Sequence, residues 1–178
     1  MNTLLIILAV VAMLIALILI IAVFSKKEYT LERAISINKP KQEVFDYVKL
    51  LKNQDHYSKW VMRDPNMKKD FRGTDGTVGF IYAWDGNKQA GKGEQEIRKI
   101  TEGERIDMEV RFERPFKAVS ETYMTTENPG GNQTEVKWVF GSKLKYPMNL
   151  MLVFMNMDKL LGKDIERSLT TLKGILEK

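Results

Sequence analysis

The stretch "SINKPKQEVFDYV", residues 36–48, joins two different periodicities. Before it, Glu28–Asn38 alternates as a strand does. Tyr29, Leu31, Ile35 and Ile37 fall on one side, and Thr30, Glu32 and Ser36 on the other. Arg33 interrupts the apolar side. Asn38 can cap a following helix, and Pro40 sits near its first turn, where a missing N–H costs nothing. Val44, Phe45 and Val48 then share one helical face. The stretch reads as a strand leading into a short amphipathic helix.

Outward from this unit the pattern continues. Leu50–Trp60 reads as a second, irregular short helix ending in "HYSKW", and a loop follows, "RDPNMKKDFRGTDG", with room for one short strand. Strands are then expected over Thr77–Trp84, Lys92–Thr101, Arg105–Glu113, Phe116–Thr126 and Thr134–Lys143. Arg105–Glu113 alternates most cleanly: Ile106, Met108, Val110 and Phe112 point one way, against five charged residues pointing the other. Turns such as "DGNKQAG" and "ENPGGN" separate the strands. This predicts consecutive hairpins in an antiparallel sheet with one apolar face. One long helix is expected from Pro147 to Glu177, and its first part, "MNLMLVFMNM", is apolar nearly all round. The fold class is α+β.

Leu4–Phe24 carries no charged residue, strongly polar residue or proline. At about 1.5 Å per residue it reaches about 31 Å, enough to cross a bilayer. "MNT" lacks the basic start of a cleaved signal, and Phe24 spoils a small-residue cleavage site. The sequence therefore divides into an anchor, residues 1–27, and a domain, residues 28–178. Lys26 and Lys27 follow the span, which puts the domain on the cytoplasmic side of the cell membrane as a single-pass protein.

Composition narrows the chemistry. The net charge of +5 is interleaved with acids rather than gathered in a stripe, so no nucleic-acid partner is expected. With no cysteine and a single histidine, His56, thiolate chemistry and a histidine-built metal site are excluded. "GNKQAGKG" lacks the spacing of a phosphate or dinucleotide loop, and no cofactor is expected.

The ordered set "ERAISINKPKQEVFDYV", "HYSKW" and the strand run from Gly76 to Phe112 resembles the SRPBCC superfamily. That group includes START domains, birch-pollen-allergen-like proteins and polyketide cyclase-like proteins. Pro40, Val44 and Phe45 match its strand-to-helix junction, Trp60 its tryptophan after the second helix, and Gly91, Gly93 and Gln95 its glycine–glutamine strand. The resemblance implies a helix-grip fold, a curved sheet wrapped around the last helix, with an apolar pocket between them for a lipid or other hydrophobic small molecule. The strand residues expected to line it are Tyr82, Trp84, Met108, Val110 and Phe112, with Met124, Trp138 and Phe140. Met151, Phe154 and Met155 are expected from the helix, and Arg33, Gln95 and Tyr123 as inward polar groups. Two alternatives stand beside this binding role. One is a cyclase- or dehydratase-type enzyme using Arg33, His56 and Tyr123. The other is an interaction domain with a filled core.

Overall fold

A computed structural model describes residues 2–178. Helix α1, Thr3–Phe24, precedes strand β1, Glu28–Ile37, which leads into α2, Lys41–Lys49, and α3, Gln54–Tyr57. Six strands follow: β2 Lys68–Arg72, β3 Ile81–Asp85, β4 Lys92–Thr101, β5 Arg105–Arg114, β6 Ala118–Gly130 and β7 Gln133–Lys143. The chain ends with α4, Met151–Phe154, and α5, Lys163–Leu176.

All seven strands form one antiparallel sheet in the order β1-β7-β6-β5-β4-β3-β2. Sequential hairpins explain the run from β2 to β7, and β1 closes against the last of them. The register of β4 on β5 shifts between Ile97 and Lys99. Such a bulge bends and twists the strand that carries it. The β6–β7 turn passes through Gly131 at φ +63°, a conformation that glycine adopts without a steric cost.

The concave face has two halves. In one, α5 lays Ile165, Leu169 and Leu172 against Ile37, Ile106 and Val136 of the sheet, with Val44, Phe45 and Val48 of α2 beside them; all are essentially buried. Each such side chain contributes about 1.5–3 kcal/mol by leaving water. The other half is the cavity described below. The convex face is laced with ion pairs, among them Arg111 to Glu94 and Glu96, each at 2.8 Å.

Two expectations need correction. The strand expected from Thr77 begins only at Ile81. Thr77–Phe80 turns instead, with Phe80 N–H donating to Thr77 O (3.1 Å) and Gly79 at φ +87°. Phe80 still points into the core, but Val78, expected on the same face, is exposed, so the alternation holds only from Phe80 onward. The last helix is also not continuous. It is extended at Met155, and a new helical run starts at Met157, directly after Asn156. Asn156 Oδ1 accepts the Lys159 N–H (3.0 Å). A capping asparagine inside an apolar stretch outweighs the continuous periodicity around it. A π-turn, Asp158–Gly162, then leads into α5.

Helix α1 is long and apolar enough to cross a membrane, and nearly all of it is exposed. Its last turn is held to the domain. Asn149 donates from Nδ2 to Ala22 O (2.6 Å), and Leu144 N–H donates to Lys27 O (2.7 Å).

Candidate functional site

A cavity of about 390 Å³ lies between the concave sheet and the segment from Met151 to Leu161. Alternation builds its floor. Tyr82 and Trp84 come from β3, Gln95 from β4, Val110 and Phe112 from β5, and Trp138 and Phe140 from β7. Ser120, Thr122 and Ser142 add hydroxyls on the same face, and Met151, Met155, Met157, Leu160 and Leu161 form the roof. The interior is therefore not filled.

Aromatic rings fix the walls. Trp60 lies 5.6 Å from Trp138 and 5.4 Å from Phe140, centroid to centroid. Trp84 meets Phe112 edge to face at 5.9 Å. Gly93 makes that second contact possible, because a Cβ there would sit 2.8 Å from the Trp84 ring and 2.5 Å from Arg111 O.

Most polar groups of the lining are already engaged. Trp138 Nε1–H donates to Thr122 Oγ1 (2.9 Å), and Thr122 donates to Val139 O (2.7 Å). Tyr82 donates to Asp55 Oδ1 (2.6 Å), whose other oxygen receives Lys69 (2.8 Å). Burial, and then the Asp55 carboxylate, push the Tyr82 hydroxyl well above its usual range. Burial pushes Tyr29, also in the lining, up to about 12. Both phenols stay neutral at ordinary pH. Gln95 Nε2 has only the Met108 sulfur (2.9 Å), a weak acceptor.

Gln54 differs from all of these. It lines the cavity, is 5 % exposed, and its Nε2 has no hydrogen-bond partner among the described residues. A buried amide donor left unpaired costs about 1–3 kcal/mol. Among the described residues it is the cavity group with a clear unmet need for an acceptor.

Of the residues expected to line a pocket, the cavity brings together Tyr82, Trp84, Gln95, Val110, Phe112, Trp138, Phe140, Met151 and Met155. Five lie elsewhere. Met108 and Met124 are buried on the concave face but belong to its filled half; the face is longer than the cavity. Tyr123 alternates onto the convex face, where the Arg105 guanidinium stacks on its ring at 3.6 Å. Phe154 is 73 % exposed, since the short α4 turns it away from the roof. Arg33 points inward but lies beneath the π-turn Asp158–Gly162, paired with Asp158 (2.7 Å) and packed against Gly162. His56 is exposed on α3. Arg33, His56 and Tyr123 therefore do not form one catalytic group.

Sequence reasoning missed Tyr29, Gln54, Trp60, Val61, Met157 and Leu161. For Gln54 a signal existed: it falls on the helical stripe Leu51, Gln54, Tyr57, Val61, where an apolar residue is expected. A second hollow of about 660 Å³ lies at the edge of the convex face, but Arg111, Glu113, Glu121 and Lys143 in its walls mark it as a surface groove. Among the described residues no group of three or more histidine, aspartate or glutamate side chains is placed to hold a metal ion.

No family model and no curated protein matches the chain in sequence. Solved structures do match in fold. Truncated norcoclaurine synthase from Thalictrum flavum superposes with a TM-score of 0.62 at 11% identity, covering 86% of this chain and 97% of that one. Protein Mll3558 from Rhizobium loti gives 0.60 at 14% identity, covering 83% and 96%. Major latex-like protein 151 from Panax ginseng gives 0.55 at 11% identity, covering 86% and 100%. A curved antiparallel sheet closed on a C-terminal helix, shared with these structures over nearly their whole length, makes this a helix-grip fold.

Proposed function

We propose that this protein is a membrane-anchored binder of a hydrophobic small molecule, a lipid in the first instance, and that it acts without catalysis. The observation that carries the reading is the cavity. Its volume of about 390 Å³ falls in the range of small-molecule sites, and its lining is aromatic and methionine-rich with few free polar groups. Flexible thioethers on the roof suit guests of varied shape. The unpaired Gln54 amide supports a ligand with one hydrogen-bond acceptor, a carbonyl, carboxylate or hydroxyl oxygen, on an otherwise apolar body. Helix α1 supports the anchor, with residues 4–24 in the bilayer and Lys26 and Lys27 on the cytoplasmic side. A tether raises the local concentration of the cavity at a lipid surface without any new contact.

The test is loading. Full-length protein is purified in a non-lipid detergent, extracted with organic solvent and analysed by mass spectrometry, and a fluorescent fatty acid is titrated in parallel. A co-purifying apolar molecule and a saturable signal are expected. An empty extract together with a non-saturable titration would reject the reading.

A further inference from the structure

We propose that the apolar rim of the cavity beds into the same bilayer face that α1 enters, so that a lipid moves between membrane and cavity without crossing water. The inference rests on the membrane-anchored reading above and adds the surface and the route.

The first observation is where the exposed apolar side chains lie. Outside α1, exposed apolar side chains gather at Met148, Val153, Phe154, Met155 and Leu160 within one short segment, with Phe116 on the loop before β6; Met62, Phe71, Val78 and Val119 are exposed outside that group. Met155, Leu160 and Phe116 also line the cavity. The patch is thus continuous with the cavity lining. Single exposed apolar residues are normal on a soluble surface, but a contiguous group marks a surface that is covered in use.

The second observation identifies what covers it. The Asn149 side chain, itself fully buried, holds the carbonyl of Ala22, in the last turn of α1. At about 1.5 Å of rise per residue, Ala22 lies only about 3 Å below the end of the helix. With α1 across a bilayer, Asn149 stands at the boundary between headgroups and acyl chains. Met148 is its neighbour in sequence, and the apolar segment runs on from there. The Lys27–Leu144 backbone bond is a second tie at the same level. Exposed Lys26, Lys27 and Lys145 flank these ties, and Lys117 and Lys159 adjoin Phe116 and Leu160. Apolar side chains interleaved with lysines match a leaflet containing anionic lipid.

The native chain has no cysteine, so single probes are unambiguous. Full-length Leu14→Cys, Phe154→Cys and Thr170→Cys variants are labelled with an environment-sensitive fluorophore. They are reconstituted into phosphatidylcholine vesicles containing phosphatidylglycerol and acyl-chain nitroxide lipid. The expected result is strong quenching at 14 and 154 and none at 170. Quenching at 14 with full emission at 154 would overturn the inference and leave the anchor intact. No quenching at 14 would remove the anchor and this inference together. A residue 154 that is shielded from water but unquenched, and that cross-links between copies, would assign the rim to a second copy of the chain and overturn the proposal. Val153→Asp with Phe154→Asp, both exposed and outside the cavity lining, should leave fatty-acid affinity in detergent within twofold and slow its transfer from vesicles severalfold; unchanged transfer would count against the route. A quenched residue 154 on a protein whose cavity takes no ligand would uphold the rim contact and overturn the ligand reading and the route together.

Discussion

Trp84 and Phe112 meet edge to face, with centroids 5.9 Å apart, above the bare backbone of Gly93 between them. The glycine pairs with Trp84 on one side and with Phe112 on the other, so both rings lean over a strand position that has no side chain. Gly93→Ala would press a methyl group against the Arg111 carbonyl and the indole. Overpacking of this kind costs about 1–3 kcal/mol. The expected outcome is a melting temperature lower by about 2–4 °C per kcal/mol, together with weaker binding of the fluorescent fatty acid. Thermal unfolding and titration of the same sample check both.

Gln54→Leu should separate stability from binding. Replacing an unpaired buried amide by an apolar side chain of similar shape is neutral or stabilising, so the melting temperature is expected to hold or rise. Affinity for a ligand with a hydrogen-bond acceptor should fall by about 2–10-fold, the worth of one net hydrogen bond. A matched ligand without the acceptor should bind both proteins alike.

Arg33→Met provides the contrast. The pair with Asp158 is only partly shielded, and such pairs contribute about 0–1 kcal/mol. Stability should change by no more than that, and ligand affinity should not change. A clear loss of affinity in the titration would show that Arg33 reaches the ligand after all.

Acid should loosen the convex face. Burial alone would raise Glu94 and Glu96, but hydrogen bonds from Arg111, with Arg72 at Glu94 and Arg98 at Glu96, outweigh it and hold both carboxyls below their ordinary 4.5. A carboxyl lowered in the folded state adds stability above its unfolded pKa. That contribution is lost as pH falls from 4.5 through the folded value. Melting temperature measured against pH should therefore drop below pH 4.5. In Arg111→Met only Arg72 and Arg98 remain to hold these carboxyls down, so the contribution is smaller and the drop over the same window should be shallower.

Much of the architecture was legible because alternation survives folding. The charged and apolar sides of Arg105–Glu113 lie where period-two spacing puts them, and the inward residues of β3, β4 and β7 follow the same logic. Two kinds of information were not local. Parity identifies the concave face but not where along it the core stops, so Met108 and Met124 could not be told from Val110 and Trp138. Arg33 sits on the inward side of β1, but Asp158, more than a hundred residues away, decides what it touches. Tyr123 was a different case, since its neighbours Thr122 and Met124 already occupy the inward positions. Helix α1 was plain from composition; its tie to Asn149 was not, because nothing in a lone asparagine names its partner.

The interruption at Met155 and Asn156 divides the tail of the chain into two parts under different constraints. Ile165, Leu169 and Leu172 on α5 are locked in the interior, where each truncation is expensive. The stretch from Met151 to Leu160 is largely exposed, and four of its side chains line the cavity. Changes there should alter the shape of the guest compartment at little cost to folding. Relatives of this protein can therefore diverge in what they carry by rewriting that one stretch, and a laboratory seeking a new cargo has the same small target.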